Sequence, residues 1–185
     1  MFKKILLVLV IAIAIFVSFV AMQPPDFRIE RSATMAAPAP DVFAQVNDFH
    51  NWEAWSPWAK LDPAAKNSFE GPTAGKDAKF RWSGNSEVGV GNMTILESRP
   101  HDLIRIKLEF EEPRADTSNT EFTFKPVENK TLVTWTMSGR KDFVSKAVCL
   151  FMNMDKIVGE KFEEGLAKMK EVVESKKDSG ASEGK

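Results

Sequence analysis

Between Phe27 and Met137 the chain alternates apolar and polar side chains, and one long amphipathic stretch follows to cover what that alternation leaves apolar. Phe27, Ile29, Ala33 and Met35 alternate with Arg28, Glu30, Ser32 and Thr34. Ala78, Phe80 and Trp82 alternate with Lys79, Arg81 and Ser83, and Met93 and Ile95 share a face of the run Val88 to Ser98. The clearest alternation sets Ile104, Ile106, Leu108 and Phe110 against Arg105, Lys107, Glu109 and Glu111. Phe122 and Phe124, then Val133, Trp135 and Met137, continue it, with turn residues at 99–102 and 128–130. Consecutive hairpins of this kind imply an antiparallel sheet with one buried face.

From Phe143 to Val173 there is no proline. Val158, Phe162, Leu166, Met169 and Val173 step by three or four, a helical stripe. Val144, Val148, Phe151 and Met154 form a second stripe upstream, with a bend expected near Asp155 to Gly159. After the first strand, Asp41 is placed to cap a short helix through Val42, Phe43 and Val46. Phe49, Trp52, Trp55 and Trp58 follow at a spacing of three, and Pro57 limits that segment to short helical turns. These elements predict an α+β fold in which a curved antiparallel sheet grips one C-terminal helix. A gap is expected between them, thinned on the helix side by Gly159 and Gly165.

Residues Ile5 to Met22 are apolar except Ser18. At about 1.5 Å per residue they make a helix roughly 27 Å long, just enough to span a hydrocarbon core of about 30 Å. The run is longer than a signal-peptide core and lacks a small-x-small cleavage site, so an uncleaved anchor is favoured over a cleaved signal. Lys3 and Lys4 precede it, which places the N-terminus in the cytoplasm and the rest of the chain on the exported side of the inner or plasma membrane. Residues 23–25 then form a stiff spacer, 26–174 the folded domain, and 175–185 a tail too polar to order itself.

Composition narrows the chemistry. One Cys excludes an internal disulfide, and two His and no Tyr leave few groups that titrate near neutrality. A net charge of −1 gives no footprint for nucleic acid, and neither metal nor other cofactor is expected. The stretch Gly71 to Asp77 is one residue short of a phosphate loop and reads as a hairpin turn. His50 and His101 read as surface residues and Cys149 as an inert thiol. Glu109 and Glu121 read as outward, and Glu97 as a group at the cavity rim.

Three segments carry a family likeness: Ile29 to Pro38 followed by Val42-Phe43, the aromatic stretch Phe49 to Pro63, and Phe122 to Pro126 followed by Thr134 to Met137. With the element order, they resemble the SRPBCC or START-like helix-grip superfamily, and in particular its membrane-anchored bacterial, polyketide cyclase/dehydrase-like members. The resemblance covers residues 26–174. That family shares a scaffold rather than one chemistry. It implies binding of a hydrophobic small molecule or lipid in an apolar cavity near the membrane. The expected lining is Trp52, Trp55, Trp58, Phe80, Trp82, Met93, Ile95, Ile106, Leu108, Phe110, Phe122, Phe124, Trp135, Phe151, Met154, Val158 and Phe162. The three tryptophans from 52 to 58 could instead pack the core, lid the cavity or touch the membrane surface. A cyclase or dehydratase-like enzyme, and a protein-interaction module without ligand, are the alternative readings. An enzyme would need inward acid–base groups, of which the sequence offers few.

Overall fold

The computed structural model describes residues 1–182. Helix α1 (Phe2–Met22) is followed by β1 (Asp26–Met35), α2 (Ala39–Asn47) and a 3-10 segment (Phe49–Ala54). Six strands follow: β2 (Lys66–Glu70), β3 (Lys79–Ser83), β4 (Val90–Arg99), β5 (Leu103–Glu112), β6 (Asp116–Val127) and β7 (Lys130–Arg140). Helices α3 (Phe143–Cys149) and α4 (Met154–Ser182) end the described chain. The strands form one antiparallel sheet in the order β1-β7-β6-β5-β4-β3-β2. The meander thus returns its last strand to the first, and α4 lies mainly against β1. This is the α+β helix-grip fold.

Local chemistry explains the elements. Pro38 and Pro40 start α2, and Asp41 lies in its first turn, where a carboxylate suits the helix dipole, rather than at the cap. The Asp142 side chain caps α3 by accepting from the Ser145 backbone N–H at 2.8 Å. The stripe expected on the C-terminal helix is its core face, with Phe162, Leu166, Met169 and Val173 all buried. Arg31 of β1 clamps α4, donating to Glu163 at 2.7 Å and to Asp155 at 3.1 Å. Gly159 permits the clamp, because a Cβ there would overlap the guanidinium.

Directly opposed residues of an antiparallel sheet share a face. The inner face is therefore a set of rows. One row is Phe27, Gly139, Ser118, Leu108, Met93 and Phe80. The next is Ile29, Met137, Thr120, Ile106 and Ile95, and the third is Arg31, Trp135, Phe122 and Ile104.

Three expectations are corrected. Strand β2 has no apolar alternation and every residue in it is exposed, so the pattern could not reveal it. The C-terminal helical region breaks at Leu150–Asn153 rather than bending near Asp155. The register of β4 slips between Ile95 and Glu97, leaving Leu96 bulged and 46% exposed. That slip turns Glu97 to the outer face, where it meets Arg105 at 2.5 Å and Arg99 at 3.7 Å, away from any cavity rim. A disordered tail was expected from residue 175; α4 is described as far as Ser182, and residues 183–185 of that tail lie outside the described residues.

The Glu164 carboxyl on α4 accepts from Lys168 at 2.6 Å and Lys161 at 2.9 Å, and these bonds lower its pKa from 4.5 to about 2. A depressed folded-state pKa stabilises above the unfolded value and loses that stabilisation as pH falls toward the folded one. All three side chains are more than a quarter exposed, so solvent screens the pairs to about 0.5 kcal/mol in all. Glu164→Gln is expected to lower stability by about that amount at pH 7. The cost should shrink as pH falls through about 2, the carboxyl's folded-state value, as read by urea midpoints at pH 7 and pH 2.

Candidate functional site

The inner face has a filled half and a half-open half. In the filled half, beneath α4, Trp135 stacks on Phe162 at 4.0 Å between ring centroids and on Phe122 at 4.8 Å. Trp55 meets Trp135 edge-on at 5.6 Å, and Trp52 lies against Trp55 at 4.6 Å. The spacing of three in the aromatic segment serves this packing and also caps α2. The indole N–H of Trp55 donates to the Gln45 carbonyl at 3.0 Å, and that of Trp52 to the Val46 carbonyl at 3.1 Å. Those carbonyls are among the last of the helix and have no partner within it. The thinning expected at Gly165 is taken up by other side chains: Pro57 and the Trp135 ring both lie 3.0 Å from where its Cβ would be.

Beyond α4 the apolar face is incompletely covered. Phe80, Trp82, Leu108, Phe110 and Met137 are half-buried, as are Phe27, Trp58 and Val158. Trp82 lies flat over Gly91, whose Cβ would come within 2.5 Å of the ring, and its N–H donates to the Val88 carbonyl at 2.9 Å. Trp58 stands at the boundary, 5.8 Å from Trp135 and 6.3 Å from Phe162. Among the described residues, two buried polar side-chain atoms lack a hydrogen-bond partner, Ser118 Oγ and Trp135 Nε1. Both belong to the inner-face rows. Gly139 makes room beside Ser118: its Cβ would lie 2.8 Å from the Phe27 ring and 3.3 Å from Ser118 Oγ.

Of the seventeen residues expected to line a site, Trp52, Trp55, Met93, Ile95, Ile106, Phe122, Phe124, Trp135 and Phe162 lie in the buried core. Trp58, Phe80, Trp82, Leu108, Phe110 and Val158 lie along its half-open margin. Phe151 and Met154 do not join them: Phe151 is 80% exposed, and both face away from the sheet because the chain breaks between α3 and α4. Ser118 and Phe27 were missed. The signal for Ser118 was present, since it lies at even offsets from Phe122 and Phe124 and so shares their face.

Among the described residues the buried polar side chains are Gln45, Ser56, Ser118, Thr120, Thr131 and Thr136, none of which ionises near neutrality. His50 is held at the surface by Asp48 at 2.7 Å and stacks on Phe69. His101 is exposed in the β4–β5 turn with its edge against Phe43. Among the described residues no three His, Cys, Asp or Glu side chains converge to hold a metal ion. A concavity of about 230 Å³ is lined by Phe110, Pro113, Arg114, Asp116 and Ser145, between the β5–β6 turn and α3.

Comparison with known proteins agrees with this architecture. A protein from Staphylococcus aureus described as of unknown function superposes with a TM-score of 0.61 at 13% identity, over 83% of this chain and 96% of its own. The Aha1 dimer from Colwellia psychrerythraea gives 0.58 at 14%, over 80% and 96%. Protein CV1439 from Chromobacterium violaceum gives 0.55 at 16%, over 82% and 99%. At such identities the likeness is one of fold. No curated protein sequence matches the chain. The family model for polyketide cyclase/dehydrase and lipid transport proteins matches residues 26–174, the whole of the sheet and the core-packing part of α4, and the chain belongs to that family.

Proposed function

We propose that this domain holds one hydrophobic small molecule or lipid against the half-open part of its inner face, close to the membrane that α1 enters. The observation that carries the reading is the margin of half-buried apolar side chains, Phe27, Leu108, Phe80, Trp82 and Met137, continuous with the core and carrying the unpartnered Ser118 Oγ. A guest lying there would bury its own apolar surface and that of the margin, at about 2.5 kcal/mol per 100 Å². Trp58, half-exposed at the boundary of the packed half, would cover one edge of the guest. The family's link with lipid transport and the lack of buried ionisable groups among the described residues favour holding the guest over transforming it.

The location is supported by α1, which is long and apolar enough to cross a membrane. With Lys3 and Lys4 on the cytoplasmic side, the domain sits on the exported face.

Fluorescence tests the reading cleanly, because the chain has five Trp and no Tyr, and α1 contains neither. A brominated fatty acid titrated into the full-length protein in detergent should quench tryptophan emission saturably. Trp82→Phe should remove a large part of that quenching. Quenching that rises linearly without saturation, and equally in the variant, would contradict the proposal.

A further inference from the structure

The sequence from Phe143 to Ile157 exposes seven large apolar side chains: Phe143, Val144, Val148, Phe151, Met152, Met154 and Ile157. Elsewhere in the described sheet domain, exposed residues of this kind are scattered singly, as Phe69, Leu96 and Val127 are, which is ordinary for a soluble surface. Val144, Val148 and Phe151 step by four and three and so form one stripe on α3. An unpartnered stripe of this size needs an occupant, and the position of α3 names it.

Helix α3 packs against the last turn of α1. Val20 is fully buried, and Lys146 Nζ donates to the Ala21 carbonyl at 3.2 Å. A second tie links the Lys141 N–H to the Pro25 carbonyl at 2.6 Å. The last turn of a spanning helix lies at the boundary of acyl chains and headgroups. Anything fixed to it lies there too. The charges of the segment fit that boundary. Asp142 is paired with Arg114 and Asp155 with Arg31, while Lys141 and Lys146, and Lys156 beside Glu160, are placed among the exposed apolar residues. An apolar stripe with lysines beside it is the pattern of a helix lying in an anionic membrane surface.

We propose that α3 and the α3–α4 connection form an interfacial membrane-binding element, which seats Phe143, Val144, Val148, Phe151 and Met152 in the outer edge of the same bilayer that α1 spans. This rests on the reading of α1 as a spanning helix. The element fixes the domain's orientation on the membrane, with the β5–β6 turn and the concavity beside Phe110 and Ser145 held next to the lipid. It also explains why the stripe on α3 is not a continuation of the core stripe on α4.

The test uses the whole chain in vesicles of equal parts phosphatidylcholine and phosphatidylglycerol. In a Cys149→Ser background, which removes the single native thiol, single cysteines are introduced as Phe151→Cys, Ala14→Cys and Ser68→Cys. Each is labelled with an environment-sensitive fluorophore and challenged with doxyl-labelled lipids. Labels at 151 and 14 are expected to be blue-shifted and quenched several-fold more than the label at 68. Quenching at 14 without quenching at 151 would overturn this inference and leave the spanning reading intact. Quenching at neither would overturn both. A blue shift at 151 without lipid quenching would mean that protein, a second copy or a partner, covers the stripe, and would also overturn it. Val148→Asp with Phe151→Asp, both at exposed positions, should leave the urea midpoint unchanged and abolish the lipid quenching of a label at Val144→Cys.

Discussion

Replacing Trp135 with alanine is expected to cost about 3–5 kcal/mol of folding stability, the usual range for deleting a large buried aromatic. The indole is 2% exposed, is sandwiched between Phe162 of α4 and Phe122 of β6, and receives the edges of Trp55 and Trp58. No neighbour can close the space, because Gly165 opposite it presents no side chain. The thermal midpoint of a domain this size should fall by roughly 10 °C. Trp135→Phe sharpens the argument. Its Nε1 has no partner, so phenylalanine surrenders no hydrogen bond and keeps the stack, and the loss should stay below about 1.5 kcal/mol. Trp55→Phe should cost more, because it deprives the Gln45 carbonyl of its donor and leaves an acceptor buried at the end of α2. Urea midpoints for the three variants check this order, and equal losses for Trp135→Phe and Trp55→Phe would contradict it.

The second large effect concerns α1. The full chain is expected to sediment with membranes and to resist extraction at alkaline pH, and residues 23–185 alone to be released into the supernatant by the same extraction. Near the centre of a bilayer each Leu, Ile, Phe or Val of α1 contributes about −0.3 to −0.6 kcal/mol to insertion, so the run as a whole contributes several kcal/mol. Ile11→Arg, at mid-span, adds about 2.5–3.5 kcal/mol of cost and should release part of the full chain into the alkaline supernatant. Release of the unaltered chain by the same treatment would refute the spanning reading.

What the sequence made legible follows the strength of its periodicities. β5 was plain because Ile104 to Glu111 alternates without a break, and the α4 stripe because Phe162, Leu166, Met169 and Val173 all face one core. β2 was invisible because an edge strand with both faces exposed has no reason to alternate. Glu97 was misplaced for the opposite reason. Alternation was assumed to continue through Leu96, and a single bulged residue exchanges the two faces of everything beyond it. Phe151 and Met154 show a third limit: a helical stripe marks an apolar face but not what covers it. Nor could spacing reveal that Pro57 and Trp135 converge on Gly165, since that contact joins three separate elements. The margin at Phe80, Trp82 and Leu108 was legible as inner face. Its partial exposure depends on where α4 begins, at the level of Arg31, which the pattern does not fix.

The central claim is that one apolar guest occupies the half-open margin, and native mass spectrometry of the full chain purified from its membrane tests it most directly. The account predicts a protein carrying a single apolar adduct, with the adduct lost in Leu108→Trp, where added bulk fills the margin without disturbing the buried core. A bare chain mass, or an adduct retained undiminished in Leu108→Trp, would contradict it.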